Sequence, residues 1–158
     1  MQFKTKNKAL IAQGKKTTVE FGEKLKIGDF TISGPGEYEV GGVLVFAPED
    51  NIFSIRIDGF HIVYWRAVNG QPKVESEALG DIDVMVLELG EKTSSLKDVA
   101  ATINNLEPAD IVLATPTLKD ELIKNETLPT KEVETWKMSQ ETQEKDRELI
   151  LLPCSQNS

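Results

Sequence analysis

The stretch Ile82-Asp83-Val84-Met85-Val86-Leu87-Glu88-Leu89 decides the fold class. It is apolar almost without interruption, as expected of a strand covered on both faces rather than one. Gly90 stops it. Ser95-Leu96-Lys97-Asp98 then has capping-box spacing, with Asp in place of Glu at the third helical position. Leu96, Val99, Ala100, Ile103 and Leu106 follow at helical spacing, and Pro108 ends the helix. Asp110-Ile111-Val112-Leu113-Ala114 is a second buried strand. Strand, helix and strand within this span make a βαβ unit, which predicts parallel strands and a right-handed crossover.

Upstream, residues 1–66 read as β-structure. Thr17-Thr18-Val19-Glu20-Phe21 is β-branched and bounded by Gly14 and Gly22. Leu25, Ile27, Phe30 and Ile32 form two short runs about Gly28-Asp29. After the turn signal Ser33-Gly34-Pro35-Gly36, the residues Tyr38, Val40, Val43 and Val45 predict a strand bent at Gly41-Gly42. Residues 52–57 and 60–66 flank Asp58-Gly59 and read as a hairpin. The front of the chain is thus an antiparallel meander. Residues 67–80 read as an irregular loop.

Downstream of the βαβ unit, Thr117 to Asn125 fits a short helix and Glu132 to Met138 one amphipathic strand. Gln140 to Asp146 is turn-like, and Glu148 to Leu152 is a final strand ended by Pro153. The expected organisation is one α/β domain over residues 1–153, with a disordered tail at 154–158.

Composition narrows the function classes. The chain has 158 residues, of which 39% are hydrophobic and 28% charged, a balance that suits a globular domain. No apolar run approaches the roughly 18 residues of a membrane span, and the lysines near Met1 precede no apolar segment of a secretory signal. The single cysteine, Cys154, excludes an internal disulfide. A cytoplasmic location without membrane contact is expected. The net charge is −8, yet residues 1–26 hold seven lysines and two glutamates. An acidic body disfavours nucleic acid, whose binding depends on phosphate neutralisation.

Several segments, in order and spacing, resemble a branch of the metallo-β-lactamase fold: bacterial zinc-dependent hydrolases similar to ascorbate-phosphate lactonases. They are Gly34-Pro35-Gly36-Glu37-Tyr38-Glu39-Val40-Gly41-Gly42-Val43, Ile55 to Ile62, Leu79 to Leu87 and Ala100 to Pro108. The resemblance covers residues 15–153. It implies a sandwich of two β-sheets with outer helices, here reduced at the N-terminus, where little chain precedes Lys15. It also implies a metal site on loops at one edge, where His and Asp ligands hold zinc and lower the pKa of a bound water.

The ligands that the resemblance calls for do not carry over. The family's His-x-His-x-Asp-His run has no counterpart, and the chain has one histidine in total. Ala67 falls near the place of a ligand Asp. Ala114-Thr115-Pro116-Thr117 stands where a ligand His is usual, and Ala47-Pro48-Glu49-Asp50 where an insertion carries another. The expectation is therefore a non-catalytic protein with no catalytic, metal-ligating or cofactor-binding residue and no cofactor. It would act on protein partners, a second copy of itself among them. The alternative is a hydrolase-like or small-molecule-binding protein with a rebuilt carboxylate-based or metal-free site.

The remaining chemistry-bearing residues read as structural. His61 lies mid-strand between Phe60 and Ile62, Asp81 and Asp83 lie at the start of a strand, and Cys154 has no neighbouring base in sequence. Four residues are candidates for an interaction surface: Trp65 and Arg66, of types enriched at binding hot spots, and Glu37 and Tyr38 beside the Gly-Pro-Gly turn.

Overall fold

A computed structural model describes residues 1–68, 70–93, 95–138 and 146–156. The chain opens with β1 (Gln2–Lys6), β2 (Ala9–Gln13), β3 (Thr18–Phe21), β4 (Leu25–Ile27) and β5 (Phe30–Thr31). Next come β6 (Gly36–Val40), β7 (Val43–Glu49), β8 (Ile52–Ile57) and β9 (Phe60–Arg66). A single helical turn α1 (Ser76–Leu79) precedes β10 (Val84–Glu88), α2 (Leu96–Leu106), β11 (Asp110–Leu113) and α3 (Lys119–Glu126). The chain continues with β12 (Thr130–Glu132), β13 (Thr135–Lys137), β14 (Leu149–Leu151) and α4 (Pro153–Gln156).

The strands form two sheets. The first runs β13-β1-β2-β3-β4-β5, and the second β12-β14-β11-β10-β9-β8-β7-β6. The meander is therefore split: β1 to β5 belong to one sheet and β6 to β9 to the other. The strands of the βαβ unit are parallel as expected, and β9 joins them, with Met85 in register with Val63 and Ile111. Ser95 caps α2 as its spacing predicts, its side chain accepting from the N–H groups of Lys97 and Asp98.

Two apolar layers follow from strand alternation. Between the sheets lie Phe3, Leu10, Val19 and Leu25 from the first, and Val45, Ile55, Ile62, Tyr64, Val84 and Val112 from the second. The opposite face of the second sheet buries Trp65, Met85, Leu87 and Ile111 against Val99, Ile103 and Leu106 of α2 and Leu122 of α3. This is why β9, β10 and β11 read as continuous apolar runs. Each such aliphatic side chain, fully buried, contributes roughly 1.5–3 kcal/mol. Among the described residues no helix is long and apolar enough to cross a membrane.

The structure departs from the sequence reading at α1, a helical turn inside the segment read as an irregular loop, and at the following places. Residues 1–14, read as β-structure without delimited strands, form a hairpin of β1 and β2 closed by Asn7 (φ 52°) and Lys8 (φ 66°). That is a tight turn without the usual glycine, so it carried no punctuation signal. Gly41 (φ 56°) and Gly42 (φ 82°) do not bend one strand but close a two-residue hairpin between β6 and β7. The segment 132–138 is not one strand: β12 joins the second sheet and β13 the first. Val133 and Trp136 have opposite parity, so both can pack against the inter-sheet core only if the chain turns as it crosses. Finally, residues 154–156 are not frayed: they belong to α4, with Ser155 buried and its hydroxyl accepting from the Leu152 N–H. The turn-like segment 140–146 lies outside the described residues save for Asp146.

Candidate functional site

The edge at the carboxyl ends of β9, β10 and β11 is where the resemblance locates metal chemistry. Three positions there are alanines: Ala47 on β7, Ala67 after β9 and Ala114 after β11. All three are buried, Ala47 and Ala114 in the inter-sheet core and Ala67 in the outer layer. A methyl group offers no lone pair, and zinc sites need three or four N, O or S donors. Among the described residues, no three His, Cys, Asp or Glu side chains are grouped so as to hold an ion. The described residues do not fit the zinc centre that the resemblance implies.

Beside Ala67 the edge holds a fixed cation. The Arg66 Nε–H donates to the Tyr64 hydroxyl at 3.0 Å, and Nε stands 3.5 Å from Glu88 Oε2. The Arg66 Nη2 group also donates to the Gly22 carbonyl, which belongs to the loop after β3 in the other sheet. The Tyr64 hydroxyl donates to Glu88 Oε1 at 3.1 Å. The guanidinium carbon lies 5.3 Å from the Tyr64 ring centroid. Burial, and then the Glu88 charge, push the Tyr64 phenol well above its ordinary range, so it stays a neutral donor. The cluster ties the two sheets together and pairs its one carboxylate, Glu88, with a guanidinium.

A second polar cluster lies on the outer face of β8 and β9. His61 Nδ1 is 2.7 Å from the Asp81 carbonyl, so Nδ1 carries the proton. Nε2 then accepts from the Ser54 hydroxyl at 2.6 Å. The His61 backbone N–H donates to the Asp83 carboxylate at 2.7 Å. Asp81 and Asp83 thus lie at the start of a strand as expected, but they act through His61. Burial lowers the His61 pKa; the Asp81 carbonyl raises it, the nearby Arg56 charge lowers it and the Asp83 charge raises it. The arrangement has the order nucleophile, base and orienting acceptor. Both side chains are covered, with Ser54 6% and His61 2% exposed.

The four surface candidates separate. Trp65 is fully buried under the outer helices and offers no surface, and its indole N–H finds no partner among the described residues. Its residue type signalled a hot spot, but its strand position places it in the core. Arg66 is held in the cluster with Glu88. Tyr38 faces the inter-sheet side, where its hydroxyl donates to the Ser33 carbonyl at 2.6 Å and closes the turn. Glu37 alone is freely exposed, on the outer face of β6.

Next to Glu37 lie two residues that the sequence reading passed over. Leu44 is 49% and Phe46 37% exposed, both on the outer face of β7. The outer apolar layer draws no residue from β6 or β7, so the helices leave this part of the sheet bare. The signal was the run Val43-Leu44-Val45-Phe46, apolar on both faces in a strand of which only one face is covered. Cys154 is partly buried; burial raises its thiol pKa, and its backbone N–H donates to Thr5 Oγ1.

The whole arrangement is similar to a crystal structure from Thermotoga maritima, described as that of a candidate zinc-dependent hydrolase of the metallo-β-lactamase superfamily. The TM-score is 0.69 at 15% sequence identity, over 96% of this chain and 100% of that one. No family model matches the chain, nor does any curated protein. Likeness at that identity speaks to architecture alone, and on it the chain has the metallo-β-lactamase fold.

Proposed function

We propose that this chain is a non-catalytic form of the fold that acts through protein contacts, as an interaction or scaffold module without bound zinc. The observation that carries this reading is the state of the candidate ligand positions: alanines at 47, 67 and 114, with the Arg66–Glu88 pair fixed beside Ala67. A hydrolytic zinc needs convergent imidazoles and carboxylates; here the edge supplies buried methyls and one carboxylate, Glu88, already paired with a guanidinium. The test is a thermal-shift panel with zinc, manganese, magnesium and phosphorylated metabolites. A ligand that binds only the native state raises the melting temperature in a saturable way. No saturable rise is expected, and a specific one would contradict the reading.

One observation favours a second reading, a metal-free hydrolase. In it, Ser54 Oγ attacks an ester carbonyl and His61 Nε2 takes the hydroxyl proton. His61 then passes that proton to the leaving alcohol, and water cleaves the acyl-serine. The 2.6 Å contact suits this step, but the cover over both residues opposes it. A fluorophosphonate probe decides the matter. No labelling of Ser54 is expected; stoichiometric labelling that Ser54→Ala removes would install the second reading instead.

A further inference from the structure

The outer face of β6, β7 and β8 carries two rows of side chains. Register pairs Glu39 with Leu44 and Leu44 with Arg56, and pairs Glu37 with Phe46, beyond which Ser54 on β8 is buried. The first row reads acidic, apolar, basic across three adjacent strands. Glu39 and Arg56 are both exposed, and among the described residues neither has an ion-pair partner within the chain. Arg56 is steadied by one hydrogen bond, from Nη2 to the Leu79 carbonyl at 3.2 Å.

We propose that this face is an isologous interface whose occupant is a second copy of the chain. The inference rests on the interaction-module reading and names its partner. The pattern is self-complementary about a two-fold axis running along β7 in the plane of contact. Such a rotation exchanges the β6 and β8 sides of the face. Glu39 of each copy then comes over Arg56 of the other, twice by symmetry, while the Leu44 and Phe46 ridges meet. An apolar centre flanked by paired charges is the ordinary anatomy of an interface. A non-self partner would need no such mirror relation between the two flanks. The ridge is small against the roughly 800 Å² per partner of a standard interface, so the dimer is weak and depends on concentration.

The experiment is sedimentation velocity on the full chain from about 10 μM to about 1 mM, a range that brackets weak association. The parent should shift from monomer to dimer across the range. Arg56→Glu and Glu39→Arg should each weaken association at least tenfold, since each sets like charges against each other. The double variant Glu39→Arg/Arg56→Glu rebuilds both pairs with reversed polarity and should return to within about threefold of the parent, by the same complementarity. Circular dichroism on each variant separates lost pairing from lost folding. A parent that stays monomeric to the top concentration overturns the proposal, and so does a double variant that fails to recover while folded. Metal content measured on the same samples keeps the two readings apart: a zinc-free monomer sinks the dimer alone, whereas bound zinc sinks the reading beneath it.

Discussion

Arg66 holds partners from both sheets at once: Tyr64 and Glu88 in the second, and the Gly22 carbonyl in the first. Replacing it with Met keeps much of the stem but strands a partly buried carboxylate and a carbonyl. The loss should be about 1–3 kcal/mol, since the penalty falls on the groups left unpaired. For a chain of this size that lowers the melting temperature by roughly 2–4 °C per kcal/mol. A variant that melts with the parent would show that the cluster ties nothing. His61 makes a pH prediction. Its folded pKa lies below 6.5, so between that value and 6.5 the unfolded chain binds more protons and stability rises with pH. The contribution is complete above 6.5 and is lost as pH falls towards the folded value. Urea midpoints should therefore drop between about pH 7.5 and about pH 5.5, the span in which histidine titrates. His61→Gln should flatten that slope, and an unchanged slope would place the titration elsewhere.

Among the elements, the β6–β7 hairpin governs where the exposed ridge points. Its turn is locked to the first sheet by Thr17, whose hydroxyl donates to the Gly41 carbonyl at 3.0 Å. A Cβ at Gly41 would lie 2.8 Å from Thr17 Oγ1, whereas one at Gly42 meets nothing within 4 Å. Both glycines have positive φ, so both alanine variants carry backbone strain. Gly41→Ala should cost more than about 1 kcal/mol and clearly more than Gly42→Ala, because only it also displaces Thr17. Equal melting temperatures for the two would contradict the lock. Much at this scale was legible beforehand: β8, β9, β10, α2 and β11 announced themselves through alternation, an Asp-Gly turn, a Ser cap and continuous apolar runs. What stayed hidden had a physical reason. Asn7-Lys8 turns with positive φ but without glycine. The crossing at Val133 depends on which sheet each half meets, and a one-dimensional pattern does not carry that information.

For the molecule as a whole, the same sequence features speak in opposite directions about scaffold and site. The two apolar layers keep the architecture of the metallo-β-lactamase fold. At the site edge the family's histidine run is missing, and a count of one histidine carries that much in the sequence itself. Which residues face solvent was not readable. Trp65 has a binding residue's chemistry but a core residue's place, while Leu44 and Phe46 have core chemistry on a bare face. Only the layer of helices, which stops short of β7, separates these cases. The measurement that bears most directly on the central claim is elemental analysis by plasma mass spectrometry. It should use protein purified without a histidine tag from cells supplied with zinc, iron and manganese. The account predicts less than about a tenth of an equivalent of any of these metals, since the described residues present no convergent donor set to hold one. Near one equivalent would contradict it, and would mean that carboxylates with His61 or Cys154 assemble a centre that the folded chain conceals.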